Sequence, residues 1–62
     1  MIRVKDLKKQ MPKKMYRYLA SQTDPYFTTL DQAIEKLEDV IRHDHKIKMA
    51  HIVLEELKNI KG

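Results

Sequence analysis

His43, Asp44 and His45, joined at a distance by His51, are the only cluster of metal-ligating residue types in this 62-residue chain. Two ligands on one helix share a face at i, i+4 spacing, whereas adjacent helical residues point about 100° apart. His43 and His51 lack that spacing. A turn that brought His43 to His45 would still need a third ligand, so the pattern predicts a polar turn and no metal site. His43 then sits favourably near a helix C-terminus.

Nucleophilic catalysis has as little to build on. Ser21, a few threonines and three tyrosines stand without a glycine-rich elbow or a phosphate-cradling loop. The paired carboxylates are Glu35 with Asp39 and Glu55 with Glu56, and helical spacing places both pairs on solvated faces. A short helical chain has little room for a pocket of several hundred Å³. No catalytic residue and no cofactor are expected, and the chain reads as non-enzymatic. It has no cysteine, which removes disulfides and Cys-based zinc or redox chemistry and fits a cytoplasmic location. The N-terminal MIRVKDLKKQ lacks the apolar run of a signal peptide, and nothing approaches the ~20 apolar residues of a membrane span.

Charge is the clearest remaining chemical signal. The net value is +4, but residues 1–27 carry seven cations against Asp6 and Asp24, a net +5. Residues 28–44 are acidic at −3, and the remainder is +2. Lys8, Lys9, Lys13, Lys14 and Arg17 could contact phosphates, with Tyr16 or Tyr18 stacking on exposed bases. Equally, these cations could form a solvated face or complement the acidic middle of the same or a neighbouring chain.

The elements that hold these residues follow from apolar spacing. Leu30, Ala33, Ile34, Leu37, Val40 and Ile41 repeat at i, i+3, i+4, i+7, which lays one stripe along a helix. Thr29 and Gln32 form a capping box that starts it, Asp31 and Arg42 suit its dipole, and Glu38 with Arg42 makes an i, i+4 pair. A helix is therefore predicted over 29–43. Pro12 opens an earlier helix over 12–21, since proline costs little as a first helical residue and ~3 kcal/mol inside one. Residues 1–11 form a basic lead-in, either a short separate helix or extended. The loop over 22–28 is marked by Asp24-Pro25, and Phe27, near the cap, is expected to fold onto the core as a hydrophobic staple.

Beyond Arg42 the stripe Ile47, Ala50, Val53, Leu54, Leu57 is rotated by roughly 140° from its predecessor. That offset predicts a turn at His43 to His45, with Asp44 capping a last helix over 45–60. The alternative is one unbroken rod of ~45 Å. Met49, Ile52 and Ile60 lie off the last helix's stripe and widen its apolar surface, which points to a surface for self-association or a protein partner.

Met11-Pro12, then KKMYRYLASQ, a loop and TLDQAIEKL resembles the strand, proline, helix, loop, helix order of ribbon-helix-helix repressors, over roughly Asp6 to Ile41. That resemblance implies a dimer laying a two-stranded ribbon into the DNA major groove, with Asp6, Lys8 and Gln10 facing the groove and Leu7, Lys9 and Met11 inward. Lys9 inward, a loop without glycine and an added last helix depart from the family pattern.

Together the residues predict an all-α chain of three helices, a helical hairpin plus a basic N-terminal helix, forming a homodimeric bundle because a domain of this size buries only ~60% of its unfolded surface. The leading expectation is a small regulator acting by protein–protein interaction through Met49, Ile52 and Ile60. The alternative is a nucleic-acid-binding regulator using Lys8, Lys9, Lys13, Lys14 and Arg17.

Overall fold

The computed structural model describes all residues, Met1–Gly62. It is all-α: a 3-10 helix at Val4–Leu7, then α1 (Lys13–Gln22), α2 (Leu30–His43) and α3 (Lys48–Lys61). α2 and α3 form an antiparallel hairpin, and α1 packs mainly on α3 and only lightly on α2. The principal extents of 28 × 23 × 19 Å leave no room for a 45 Å rod.

Each helix begins for a local reason. The Pro12 carbonyl accepts from the Tyr16 N–H at 3.0 Å, so α1 starts directly after a residue whose missing N–H would have had no helical partner. At its other end the Ser21 hydroxyl donates to the Tyr18 carbonyl (2.6 Å) and the Thr23 hydroxyl to the Leu19 carbonyl (2.8 Å). The Thr23 bond satisfies a carbonyl of the last turn, and the Ser21 bond adds a second donor to the Tyr18 carbonyl. In α2 the capping box is reciprocal: the Gln32 N–H donates to Thr29 Oγ1 at 3.2 Å and the Thr29 N–H to Gln32 Oε1 at 3.0 Å.

The turn between α2 and α3 falls where the shift in apolar phase places it, but Asp44 does a different job from the one expected. Its backbone N–H bonds the Val40 carbonyl, ending α2. Its Oδ1 accepts from the Lys46 N–H two residues on, at 3.1 Å, an Asx turn that occupies the carboxylate. It therefore cannot cap α3, which begins four residues later at Lys48 behind Ile47 with no side-chain cap. His51 reaches back instead, its Nε2 lying 2.7 Å from the His45 carbonyl. Arg42 likewise pairs with Asp39 (3.5 Å), not with Glu38, and the same carboxylate lies 3.7 Å from His43 Nδ1.

The lead-in contributes to the core. Val4 and Leu7 are fully buried, and Met11 closes the same cluster as Leu19, Leu30, Leu37, Val53 and Leu57. A 3-10 helix eclipses residues three apart, so Val4 and Leu7 enter the core side by side. Each buried leucine or valine is worth about 1.5–3 kcal/mol. The segment that the ribbon-helix-helix resemblance requires as a strand is this 3-10 helix, and inward Met11 serves its own chain's core. The ribbon reading is thus corrected: there is no strand, only one antiparallel bridge between Arg3 and Thr29.

Candidate functional site

On α1, Lys13, Arg17 and Lys14 fall within about 100° of the helix circumference, opposite the core-facing Met15 and Leu19. All three are exposed, as are Arg3, Lys5, Lys8 and Lys9 before the helix. Lys8, Lys9 and Lys13 line one depression with Met11 and Tyr16. Lys14 and Arg17 line a second with Tyr18, Ser21 and Met49. The five cations singled out from sequence are thus all exposed, three around the first depression and two around the second.

None of these cations is paired. The ion pairs of the molecule are Arg42–Asp39 and Lys61–Asp31, with His43 Nδ1 a further 3.7 Å contact of Asp39, all within α2 and α3. The two acids of the basic third are engaged by backbone: Asp6 Oδ2 accepts from the Arg3 N–H at 3.0 Å and Asp24 Oδ1 from the Tyr26 N–H at 3.1 Å. The acidic outer face of α2, around Glu35, Glu38 and Asp39, does not neutralise the basic surface within the chain.

Met49, Ile52 and Ile60 are not presented together. Met49 and Ile60 are half-buried against the core, Met49 beside α1 and Ile60 beside Ile2 and Leu30. Ile52 alone is largely open, 51% exposed, in a depression with Met15, His51 and Glu55. Their off-stripe positions are explained by α1 and the N-terminal segment, which clothe flanks of α3 that the hairpin leaves uncovered.

Phe27 is a correction to the expected staple. It is 76% exposed, and Tyr26 beside it 67%. The staple's place at the start of α2 is taken by the N-terminal segment, where the Ile2 carbonyl accepts from the Leu30 N–H (2.9 Å) and the Val4 N–H donates to the Thr28 carbonyl (2.8 Å). The loop is nevertheless tightly held, for the Phe27 and Thr28 N–H groups both bond the Asp24 carbonyl. The exposed aromatic pair was missed because only a contact with residues more than twenty positions earlier displaces it.

Two titrating groups are perturbed. Burial raises the Tyr18 phenol above its ordinary value near 10, and its hydroxyl is sealed from solvent without a hydrogen-bond partner. Lys61 is raised by its hydrogen bond to Asp31 and by that carboxylate's charge, the pair lying 2.6 Å apart where α3 ends beside the start of α2. His43 Nδ1 sits 2.9 Å from the Asp39 carbonyl, and no three metal-ligating side chains converge. No helix is long and apolar enough to cross a membrane. No protein-family model, curated protein or solved structure matches the chain.

Proposed function

We propose that this chain is a small, non-catalytic, cytoplasmic regulator that binds nucleic acid through the outer surface of the lead-in and α1. The supporting observation is the unpaired state of Lys8, Lys9, Lys13, Lys14 and Arg17, all exposed with no carboxylate bonded to them. A surface that only needed solvating would gain by interleaving acids, whereas here the two nearby acids are turned to backbone N–H groups.

Five phosphate contacts release about five counterions, so log K falls with log salt at a slope of roughly −3.5 on a single strand or −4.5 on a duplex. Between about 50 and 200 mM salt that is a loss of ~100-fold or more. Fluorescence anisotropy with a labelled single strand and a duplex tests it. The variant with Lys8, Lys9, Lys13 and Lys14 all replaced by Glu should lose binding with its circular dichroism unchanged. Absence of wild-type binding at the lower salt refutes the proposal.

A second reading rests on Ile52, the open aliphatic side chain of α3. It keeps the protein–protein interface and the homodimer, now centred on Ile52 and Met15 rather than on Met49 and Ile60. Sedimentation at micromolar concentration tests it: a dimer that Ile52→Asp dissociates supports the interface, and a wild-type monomer removes the homodimer.

A further inference from the structure

We infer that the Tyr26–Phe27 loop is a base-stacking platform that makes the ligand a single-stranded nucleic acid, an inference resting on the phosphate-binding role proposed for α1 and its lead-in. Two adjacent aromatic rings stand out from the surface at 67% and 76% exposure. They are carried on a backbone that cannot readily fold them inward. Asp24 holds the loop from inside through its carbonyl, which takes the Phe27 and Thr28 N–H groups at 3.1 and 2.8 Å, and its Oδ1, which takes the Tyr26 N–H. The N-terminal segment holds it from outside, the Lys5 N–H donating to the Pro25 carbonyl at 2.9 Å. A loop backbone fixed before the ligand arrives loses little conformational entropy on binding.

The charge of the segment bonded to the loop points to the occupant. Lys5 is exposed and unpaired at the foot of the loop, and Lys8 and Lys9 follow within one turn of chain, leading to Lys13 and Tyr16. The one carboxylate within the loop, Asp24, is bonded to the Tyr26 N–H. A ligand that tracks this path must be anionic along its length and offer flat apolar faces at one end. A single strand does both, since its bases are free to stack on aromatic side chains while lysines follow the backbone. A duplex keeps its bases stacked on one another, so the rings would add nothing to its phosphate contacts.

The test uses the full chain with a labelled oligothymidine, an abasic strand of the same length, a duplex, and vesicles containing phosphatidylserine. Phe27 is exposed, so Phe27→Ala should fold as wild type. Phe27→Ala and Tyr26→Ala should each weaken oligothymidine binding about tenfold without altering the salt slope, leave duplex binding unchanged, and leave wild-type binding to the abasic strand as weak as that of the variants. Equal wild-type affinity for the abasic and thymidine strands overturns the platform while leaving the phosphate-binding role intact. So does Phe27→Ala binding like wild type while the four-lysine variant loses binding. An aromatic dependence seen only on the vesicles overturns it in favour of a lipid surface. Wild-type failure on every nucleic acid overturns the phosphate-binding role itself.

Discussion

Replacing Tyr18 with phenylalanine should stabilise the protein. The tyrosine ring packs against the core from α1, but its hydroxyl oxygen is sealed from water and has no hydrogen-bond partner. A buried polar group left in that state costs about 1–3 kcal/mol. Tyr18 as a whole is only half-buried, beside exposed Lys14 and Arg17, so the lower end, about 1 kcal/mol, applies. The unfolding entropy of a 62-residue chain is about 130 cal/mol/K, which turns 1 kcal/mol into a rise in Tm of roughly 4–8 °C. Thermal unfolding followed by circular dichroism at neutral pH reads it directly. The pH dependence adds an independent check, because burial holds the folded-state phenol above its ordinary value near 10. Above that value the unfolded chain loses the proton first, so the contribution of a neutral Tyr18 is intact below pH 10 and declines as pH rises beyond it. The advantage of Tyr18→Phe over wild type should therefore widen in alkaline solution. A variant that melts lower than wild type, or at the same temperature at both pH values, would show that the hydroxyl is satisfied and refute the reasoning.

The core and the cap give two further outcomes. Leu37→Ala removes a fully buried side chain at the centre of α2 and should cost about 2–5 kcal/mol. A chain of this length has only ~3–9 kcal/mol in hand, so urea titration should find the variant's midpoint lowered by a large fraction of the wild-type value. Thr29→Ala deletes the oxygen that accepts from the Gln32 N–H and should lower stability by about 1 kcal/mol, with the urea midpoint reduced and the slope unchanged.

What could be read in the residues was whatever depended on near neighbours. Thr29 and Gln32 are three positions apart, and their reciprocal bonds form as expected. Pro12 decides the start of α1 through its own missing N–H, and the rotated stripe after Arg42 places a turn because two apolar faces out of phase cannot share one core. The misreadings concern residues with two local options. Asp44 can cap a following helix or close an Asx turn, and the choice went to the nearest free N–H, that of Lys46. Phe27 can staple α2 or point to solvent, and residues 2–4 occupy the staple's place. Met49 and Ile60 look surplus until α1 and the N-terminal segment are seen against α3. The basic residues were visible in sequence as a list, but not that they would be left without carboxylates, because pairing depends on where α2 lies relative to α1.

That relative placement gives the charge pattern a direction. α1 and α2 both lean on α3 and barely on each other, so the basic face of one and the acidic face of the other are held apart by the core. The net charge of +4 is therefore a poor guide to how the molecule meets a polyanion. An approach from the α2 side meets Glu35, Glu38 and Asp39, partly offset by Lys36 and Arg42, whereas the first 27 residues offer seven cations against Asp6 and Asp24. Fields of opposite sign on separate faces orient a charged ligand before contact and raise the fraction of productive encounters, an effect that fades as salt shortens the screening length to ~10 Å at 0.1 M. On the proposed reading, an anionic strand guided to α1 would arrive beside the lead-in, whose Lys5 N–H is bonded to the Pro25 carbonyl. The hydrogen bonds that fasten the N-terminal segment to the loop thus join the backbone that carries the lead-in cations to the backbone that carries the two exposed rings.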